Sequence, residues 1–532
     1  MSKEPSTIFI RTSSGMVREI SPLVALAICI SGVAIGIPAN FAVTWTAGIY
    51  PGADFIGSIT IALIPSIFFG LLYVLFTISM PRSGGDYVYA SRTLHPVAGF
   101  TMNFMFTVWT MFFMALNASV FVDQMLAPVL ASYGLAAGNT ALIDLATVLA
   151  TDLNIRFLVA LISIIIVFVV ILFGAKYTGR WLLVLFFIGL AGIIANIIIY
   201  LAPSRPFPDA YLAAFGESME DTLARAEAAG WSYVPSTIEL TLTALPFAFV
   251  WYMGFQYSAY VAGEVKEVKK SMWISILGAL FFGWIMYSII GALFLRASPE
   301  KFTQAISFLF FAAPEQYTLP TIPGAYLFAG VISPHPILNF IILIAQICWS
   351  FAFMTVLLMV IVRNIFAWAF DRIVPTKLAD INRRFSSPIK ASIVAFIVVV
   401  IFLYLYIYTE VFMLTVNYVM AMALALIVPS VAGILFPYRR KEVYQKSPAS
   451  AYKVGGVPLI SIAGVISLIF FIYLVYAAYT TPGVFGPVGL PALSLILFTI
   501  IFPIVVYYVS KAYHQKKEGI DISLAFTEIP PG

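Results

Sequence analysis

The residues of this chain best placed to do chemistry are uncharged. Between Pro246 and Lys270 the sequence reads PFAFVWYMGFQYSAYVAGEVKEVKK, an apolar stretch interrupted halfway by Met253-Gly254-Phe255-Gln256 and ending in charge. A helix crossing a bilayer has no need of a glycine flanked by aromatics, with an amide beside it, at mid-depth. Irregular backbone there is tolerated only where protein or a wet cavity satisfies the freed N–H and C=O groups. One reading is a discontinuous helix whose exposed backbone ends hold a small zwitterionic solute. The other is a kink, or a glycine packing against a neighbouring helix. A second interruption, Ser31-Gly32 through Gly36-Ile37-Pro38-Ala39-Asn40, lies in the first apolar run. Gly32 and Gly36 alone would read as a GxxxG packing face. Pro38 and Asn40 are not needed for close packing and favour a break.

An ionisable or hydroxyl group inside a membrane span is the next candidate. Asp123, near the outer end of the third apolar run, is a candidate for ion coupling, with Glu239 at the outer start of the sixth. The competing reading is an interfacial or vestibular carboxylate. Thr355 could supply a sodium-site hydroxyl beside carbonyls of the first helix, or simply bond back to its own helix. The amides Asn103, Asn117, Asn196, Gln346 and Asn417 are expected to bond to neighbouring helices, each contributing roughly 1 kcal/mol. His95, His335 and His514 lie outside the spans and lack carboxylates at motif spacing. No phosphate-binding loop, HExxH or GxSxG motif is present, which argues against ATP-driven transport by this chain and against a membrane protease or esterase. Cys29 and Cys348 sit in apolar runs and build neither a disulfide framework nor a metal site. No cofactor and no nucleic-acid partner are expected.

The elements that position these residues follow from composition. Of 532 residues 62% are hydrophobic and only 10% charged, against about 25% charged in a soluble domain. The chain therefore reads as an all-α polytopic membrane protein. A bilayer core takes about 20 helical residues, and runs of that length fall at 22–46, 54–79, 97–130, 155–174, 180–202, 236–262, 271–296, 336–368, 389–408, 411–436, 458–480 and 487–510, twelve in all. With the N-terminus cytoplasmic, only Arg156, Arg205, Arg225, Arg296 and Lys301 of the 29 lysines and arginines fall on the outer side. This positive-inside bias places both termini in the cytoplasm. The outer 203–235 loop is acidic and suggests a short surface helix. No cleavable signal peptide is apparent in residues 1–20. The first and sixth spans run in opposite directions, and both carry an interruption. An inverted five-helix repeat produces that arrangement.

Several segments resemble the amino acid–polyamine–organocation superfamily, and within it the amino acid permeases. MPRSGGDYVYASRTLHPVAGF, from Met80 to Phe100, is similar to the family's PRSGG-(E/D)-Y-x-Y loop. The stretch from Phe249 to Lys270 resembles its F-x-x-Y-x-G-F-(E/D) helix and following EVKNPxR. VRNIFAWAFDRIVPTKLADINRRFSSPIKA and FPYRRKEVYQKSP…YKVGGVPLI also match, in the family's order. The resemblance implies a leucine-transporter-like inverted five-plus-five repeat with two extra C-terminal helices. Its parts would be an N-terminal segment 1–21, a first repeat 22–202, an outer loop 203–235, a second repeat 236–436, a cytoplasmic loop 437–457, helices 11 and 12 in 458–510, and a tail 511–532. It implies secondary amino acid transport by alternating access in the cell membrane, surrounded by membrane lipid.

Carried over residue by residue, the backbone at Ser31, Gly32, Gly36 and Ile37 would face the substrate carboxylate, and carbonyls from Val250 to Met253 the ammonium. Trp251, Tyr252 and Phe255 would flank Gly254 as an aromatic gate, or simply pack. Three departures matter. The first-helix pattern SGVAIGIPANF differs from G-x-x-x-G-S-G-I-F; Gln256 stands where an acid is usual; and Gly189 stands where many proton-coupled members carry a lysine. Gln256 argues against a cationic substrate, since a second positive charge would want a mid-membrane acid. The expectation is a secondary transporter of neutral amino acids, coupled to H+ rather than Na+, although Gly189 leaves coupling open. The alternatives are a polyamine or cationic amino acid transporter or exchanger, or a transport-inactive sensor of the same fold.

Overall fold

The computed structural model describes residues 17–36, 38–382, 384–409, 418–480 and 490–529. Ile37, Asn417 and the terminal Pro530-Pro531-Gly532 lie outside these. Ten helices among the described residues are long and apolar enough to cross a membrane, and each falls on one of the apolar runs read from the sequence. The two runs left over, 22–46 and 236–262, are the interrupted ones. Helices Pro22–Val33 and Pro38–Ile49 make up the first, and helices Ile238–Thr243 and Leu245–Val250 begin the second.

Helix Pro22–Val33 starts at Ser21, whose hydroxyl accepts the Val24 N–H, and stops because Ala34 turns left-handed at φ 55° and ψ 37°. The Ala34 N–H closes the helix onto the carbonyls of Ile30 and Ser31, at 3.0 and 3.1 Å. A residue with a Cβ pays roughly 1–2 kcal/mol for that conformation. The strain thus sits on an alanine, and Gly32 remains inside the helix. In the second run the helix ends at Val250, and the Met253 N–H lies 3.2 and 3.1 Å from the carbonyls of Phe249 and Val250. Gly254 then adopts φ 103°, and the chain continues as turns and as 3-10 helix at Tyr257–Tyr260. The sequence reading has this segment resuming as an apolar helix to Ala262; it does not return to α-helix. Its backbone is satisfied from outside itself: the Tyr260 carbonyl accepts Gly84 N–H at 3.0 Å, and the Glu264 carbonyl accepts Glu19 and Ile20 N–H, both at 2.9 Å.

Burial separates a centre from a periphery. Helices Pro96–Ala137 and Pro336–Phe370 are mostly buried, whereas most residues of Leu153–Leu172, Ile389–Tyr408 and Leu493–Glu518 are not. Along the middle of that second set the exposed side chains include Ile162, Val169, Ile397, Ile401, Ile501 and Val505. Apolar side chains turned outward suit a lipid surround. Pro96–Ala137 spans 42 residues without interruption, about twice what a bilayer core requires. It carries a π-helical turn at Phe121–Leu126. Pro128 has no N–H to offer the Gln124 carbonyl four residues back, and that carbonyl accepts Asn40 Nδ2 at 2.9 Å. The long helix is thereby tied to the second half of the first broken one.

The 203–235 connection holds two helices, Phe207–Phe215 and Met219–Ala228, the second opened by a Ser218–Asp221 capping box. Between residues 297 and 335 lie two more, Glu300–Ala312 and Ala325–Ile332. A search for runs of bilayer length passes over them.

Relieving the left-handed strain gives a direct test. Ala34→Gly should leave thermal unfolding in detergent unchanged or raise stability by up to about 1 kcal/mol, while Ala34→Val should lower it by about 1–2 kcal/mol.

Candidate functional site

The two interruptions meet. A Cβ placed on Gly32 would lie 2.6 Å from the Gly254 carbonyl oxygen and 2.8 Å from Tyr257 Cδ2, and one placed on Gly254 would strike the Gly32 carbonyl. Only two glycines let these backbones touch. Tyr287, from helix Val268–Ala297, bridges both ends: its hydroxyl donates to the Val33 carbonyl at 2.7 Å and lies 3.3 Å from that of Trp251. Tyr326 donates to the Gly36 carbonyl at 2.8 Å, and Asn40 Oδ1 accepts the Tyr326 N–H at 2.9 Å. Phenols from two other helices therefore hold carbonyls that the breaks release. Neither tyrosine stands out in the sequence, because each is tens to hundreds of residues from the carbonyl it serves.

Ser31, Gly32, Gly36, Val250, Trp251, Met253 and Gly254 all lie at or beside the two breaks, and all but Val250 are buried. Ser31 Oγ, Trp251 Nε1 and Gln256 Nε2 are buried without a hydrogen-bond partner among the described residues. Gln256 Oε1 accepts the Gly254 N–H at 3.2 Å. Tyr252 and Phe255 turn away: the Tyr252 hydroxyl donates to the Ile59 carbonyl at 2.9 Å, and Phe255 meets Phe69 edge-on at 5.8 Å. Both pack on helix Phe55–Ser79. The Trp349 indole presses on Gly36 and also fills the space beside Gly189, where a Cβ would lie 2.6 Å from Trp349 Cε2. A side chain longer than glycine's at position 189 would run into the Trp349 ring.

The remaining sequence candidates have their partners elsewhere. Thr355 donates to its own helix at Phe351 O, 2.7 Å, and accepts Trp181 Nε1 at 3.3 Å. Asp123 pairs with Arg156 at 3.2 Å. It lines a cavity of about 590 Å³ with Gln124, Phe310, Tyr317 and Thr318. Between that cavity and the breaks stands an aromatic plug. Trp251 contacts Phe41 and Phe247 at 5.9 and 4.6 Å, and Trp45 stacks on Phe247 at 6.0 Å while its Nε1 donates to Gln124 Oε1 at 3.2 Å. Of the amides, Asn103 bonds across helices, Asn117 bonds back to Phe113 O at 2.8 Å, and Asn196 and Gln346 have no partner among the described residues.

The end carrying the basic loops is built differently, from buried ionisable groups. Glu264, just past the second break, forms a two-pronged pair with Arg363 at 2.8 and 3.0 Å. Asp371 accepts Arg92 at 2.7 and 2.8 Å and the Tyr87 hydroxyl at 2.6 Å. Asp86 accepts Tyr73 and Tyr260 hydroxyls at 2.6 and 2.5 Å and Asn103 Nδ2 at 2.9 Å. All three acids are at most 5% exposed. Their motifs are visible in the sequence, but these acids flank the apolar runs instead of lying inside them, so buried charge within a span does not single them out.

A bundle of apolar helices, two of them broken against one another and clamped at one end by buried ion pairs, defines a polytopic helical membrane protein with a discontinuous-helix centre. The model of the amino acid permease family matches residues 20–512, and the chain belongs to that family. No curated relative matches the chain. Membership makes it a transport protein for a small-molecule amino acid substrate rather than an enzyme.

Two substitutions test this geometry. Gly254→Leu should leave protein that inserts and stays monodisperse but takes up no labelled amino acid in proteoliposomes; normal uptake would contradict the contact's role. Glu264→Gln leaves Arg363 buried and unpaired, and should cost about 3–5 kcal/mol in thermal unfolding, with Glu264→Gln/Arg363→Met costing less than the two single changes added.

Proposed function

We propose that this permease is a secondary transporter of neutral amino acids working by alternating access, with twelve membrane spans, an inverted five-plus-five repeat and two further helices. The observation that carries the reading is the meeting of the two broken helices at Gly32 and Gly254. One helix ends just past Gly32 at Val33, and the other at Val250. Carbonyls at the end of helix Leu245–Val250 carry partial negative charge and suit an ammonium; backbone N–H groups at the first break, between Ser31 and Gly36, suit a carboxylate. Ser31 Oγ and Trp251 Nε1, both buried and without a partner among the described residues, support the reading as groups that would complete the ligand's hydrogen bonds.

A neutral substrate follows from what surrounds it. Residues 31–40 and 247–263 contain no acid, and Gln256 is committed to the Gly254 N–H. A second positive charge on the cargo would be buried without a counter-charge, which is costly in a low-dielectric site. The aromatic plug around Trp251 and the ionic clamp around Glu264 act as the two closures, one at each end. The basic end is cytoplasmic on this reading, with both termini there and the protein in the cell membrane. Proton coupling is the reading for drive; it cannot run through residue 189, whose neighbourhood Trp349 fills.

Reconstituted uptake with a panel of amino acids, under imposed proton and sodium gradients separately, is the test. We expect accumulation of apolar neutral amino acids driven by an inward proton gradient. Accumulation of arginine or a polyamine in their place would overturn the substrate assignment, and drive by sodium alone would overturn the coupling.

A further inference from the structure

Three buried acids stand at the basic end, and their partners differ. Glu264 has Arg363, and Asp371 has Arg92. Asp86 is fully buried and has side-chain hydrogen bonds only from neutral groups, one from each of three surrounding elements. Tyr73 comes from helix Phe55–Ser79, Asn103 from helix Pro96–Ala137, and Tyr260 from the 3-10 segment that follows the second break. The other ionisable groups nearby are committed elsewhere. The Tyr87 hydroxyl is on Asp371, Tyr89 is 2.8 Å from Thr77 Oγ1, Arg82 donates to the Pro81 carbonyl, Arg439 donates to the Leu94 carbonyl, and Arg440 to those of Arg92 and Phe526. No cation among the described residues bonds to Asp86.

A carboxylate buried without a cation is costly, and such a group neutralises itself by taking a proton. The cluster accommodates either form. As an anion, Asp86 accepts three side-chain hydrogen bonds; as an acid, it donates through Oδ2 to one phenol oxygen and still accepts Asn103 at Oδ1. Tyr260 belongs to the irregular segment that joins the Gly254 contact to Glu264, so movement of that segment takes a wall off the cluster.

We propose that Asp86 is a proton-binding residue that holds one proton while the basic end is closed and releases it when the 251–264 segment withdraws. On opening, the carboxyl O–H bond breaks, the proton passes to water, and a solvated carboxylate remains; on closing, the same bond re-forms. Burial pushes the Asp86 carboxyl above the usual carboxylate range, with the hydrogen bonds from Tyr260, Tyr73 and Asn103 opposing it. The sign follows from linkage. The closed form binds the proton more tightly than the open form, so acid favours closure, and raising the pH through the elevated value favours opening. The proposal rests on the alternating-access reading for its consequence in transport, though not for the proton itself.

Two measurements test it. In infrared difference spectra of purified protein at neutral pH, the wild type should show a protonated-carboxyl C=O band that is absent from Asp86→Asn. Tyr73→Phe, which removes one hydrogen bond, should shift that band rather than delete it. Spectra of wild type and Asp86→Asn without this difference would overturn the proton assignment. In proteoliposomes with equal pH on both sides, exchange of labelled for unlabelled amino acid should quicken with rising pH in the wild type and lose that dependence in Asp86→Asn. An unchanged pH profile in Asp86→Asn would overturn the coupling of release to opening. A wild type that exchanges no amino acid would refute the transport reading, and the infrared band would still decide whether Asp86 carries the proton.

Discussion

The contact between the Gly32 and Gly254 backbones is the constraint that the rest of the molecule serves. Two helices interrupted in the middle of a membrane protein expose peptide groups that lipid cannot solvate, and those groups must find partners inside the protein. Here the hydroxyls of Tyr287 and Tyr326 take the carbonyls of Val33 and Gly36, while the two breaks pack directly on one another. Any side chain at either glycine would hold the breaks apart and strand these partners. Trp349, wedged against Gly36 and Gly189, fixes the first break against the helices behind it. The centre therefore presents peptide dipoles and a few neutral polar atoms, and no formal charge.

The two ends are closed by different physics. The plug of Phe41, Trp45, Phe247 and Trp251 is held by ring contacts and one indole hydrogen bond. Such contacts favour edge-on and offset geometries but are individually weak, and rings can slide between them at low cost. The basic end is held by Glu264–Arg363, Arg92–Asp371 and the Asp86 cluster, each with fixed donor and acceptor geometry. Buried ion pairs add little net stability, yet removing one partner is severe. They act less as glue than as register marks: the 80–85 loop with helix Asp86–Thr93, the 260–264 segment and the 363–371 helix end fit together in one way. Under the transport reading, a closure of this kind opens as a unit.

Much of the helical framework was legible from apolar run length alone, because spanning a bilayer fixes a minimum length and excludes charge. Helix Ile389–Tyr408 falls on its expected residues, and the interruptions fall within the two runs where glycine, proline and amides cluster. Local detail was less legible. The strained residue is Ala34, not a glycine, because Gly32 is needed for contact with a segment more than two hundred residues away. The chain beyond Gly254 takes 3-10 and irregular form because the 80–85 loop and residues 19–20 pair with it, which no local pattern records. Tyr252 and Phe255 carry the same aromatic signal as Trp251 but face helix Phe55–Ser79. The short helices Glu300–Ala312 and Ala325–Ile332 fell below the length being sought. The acids of the basic end were in view as family motifs, and only the fold reveals which of them has a cation.

The most direct measurement is a structure determined with a neutral amino acid bound. The account predicts the ligand at the junction of the two broken helices, its carboxylate on the backbone between Ser31 and Gly36 and its ammonium on carbonyls between Val250 and Met253. A ligand held only in the cavity beside Asp123 and Tyr317, with the Gly32–Gly254 contact bare, would contradict it.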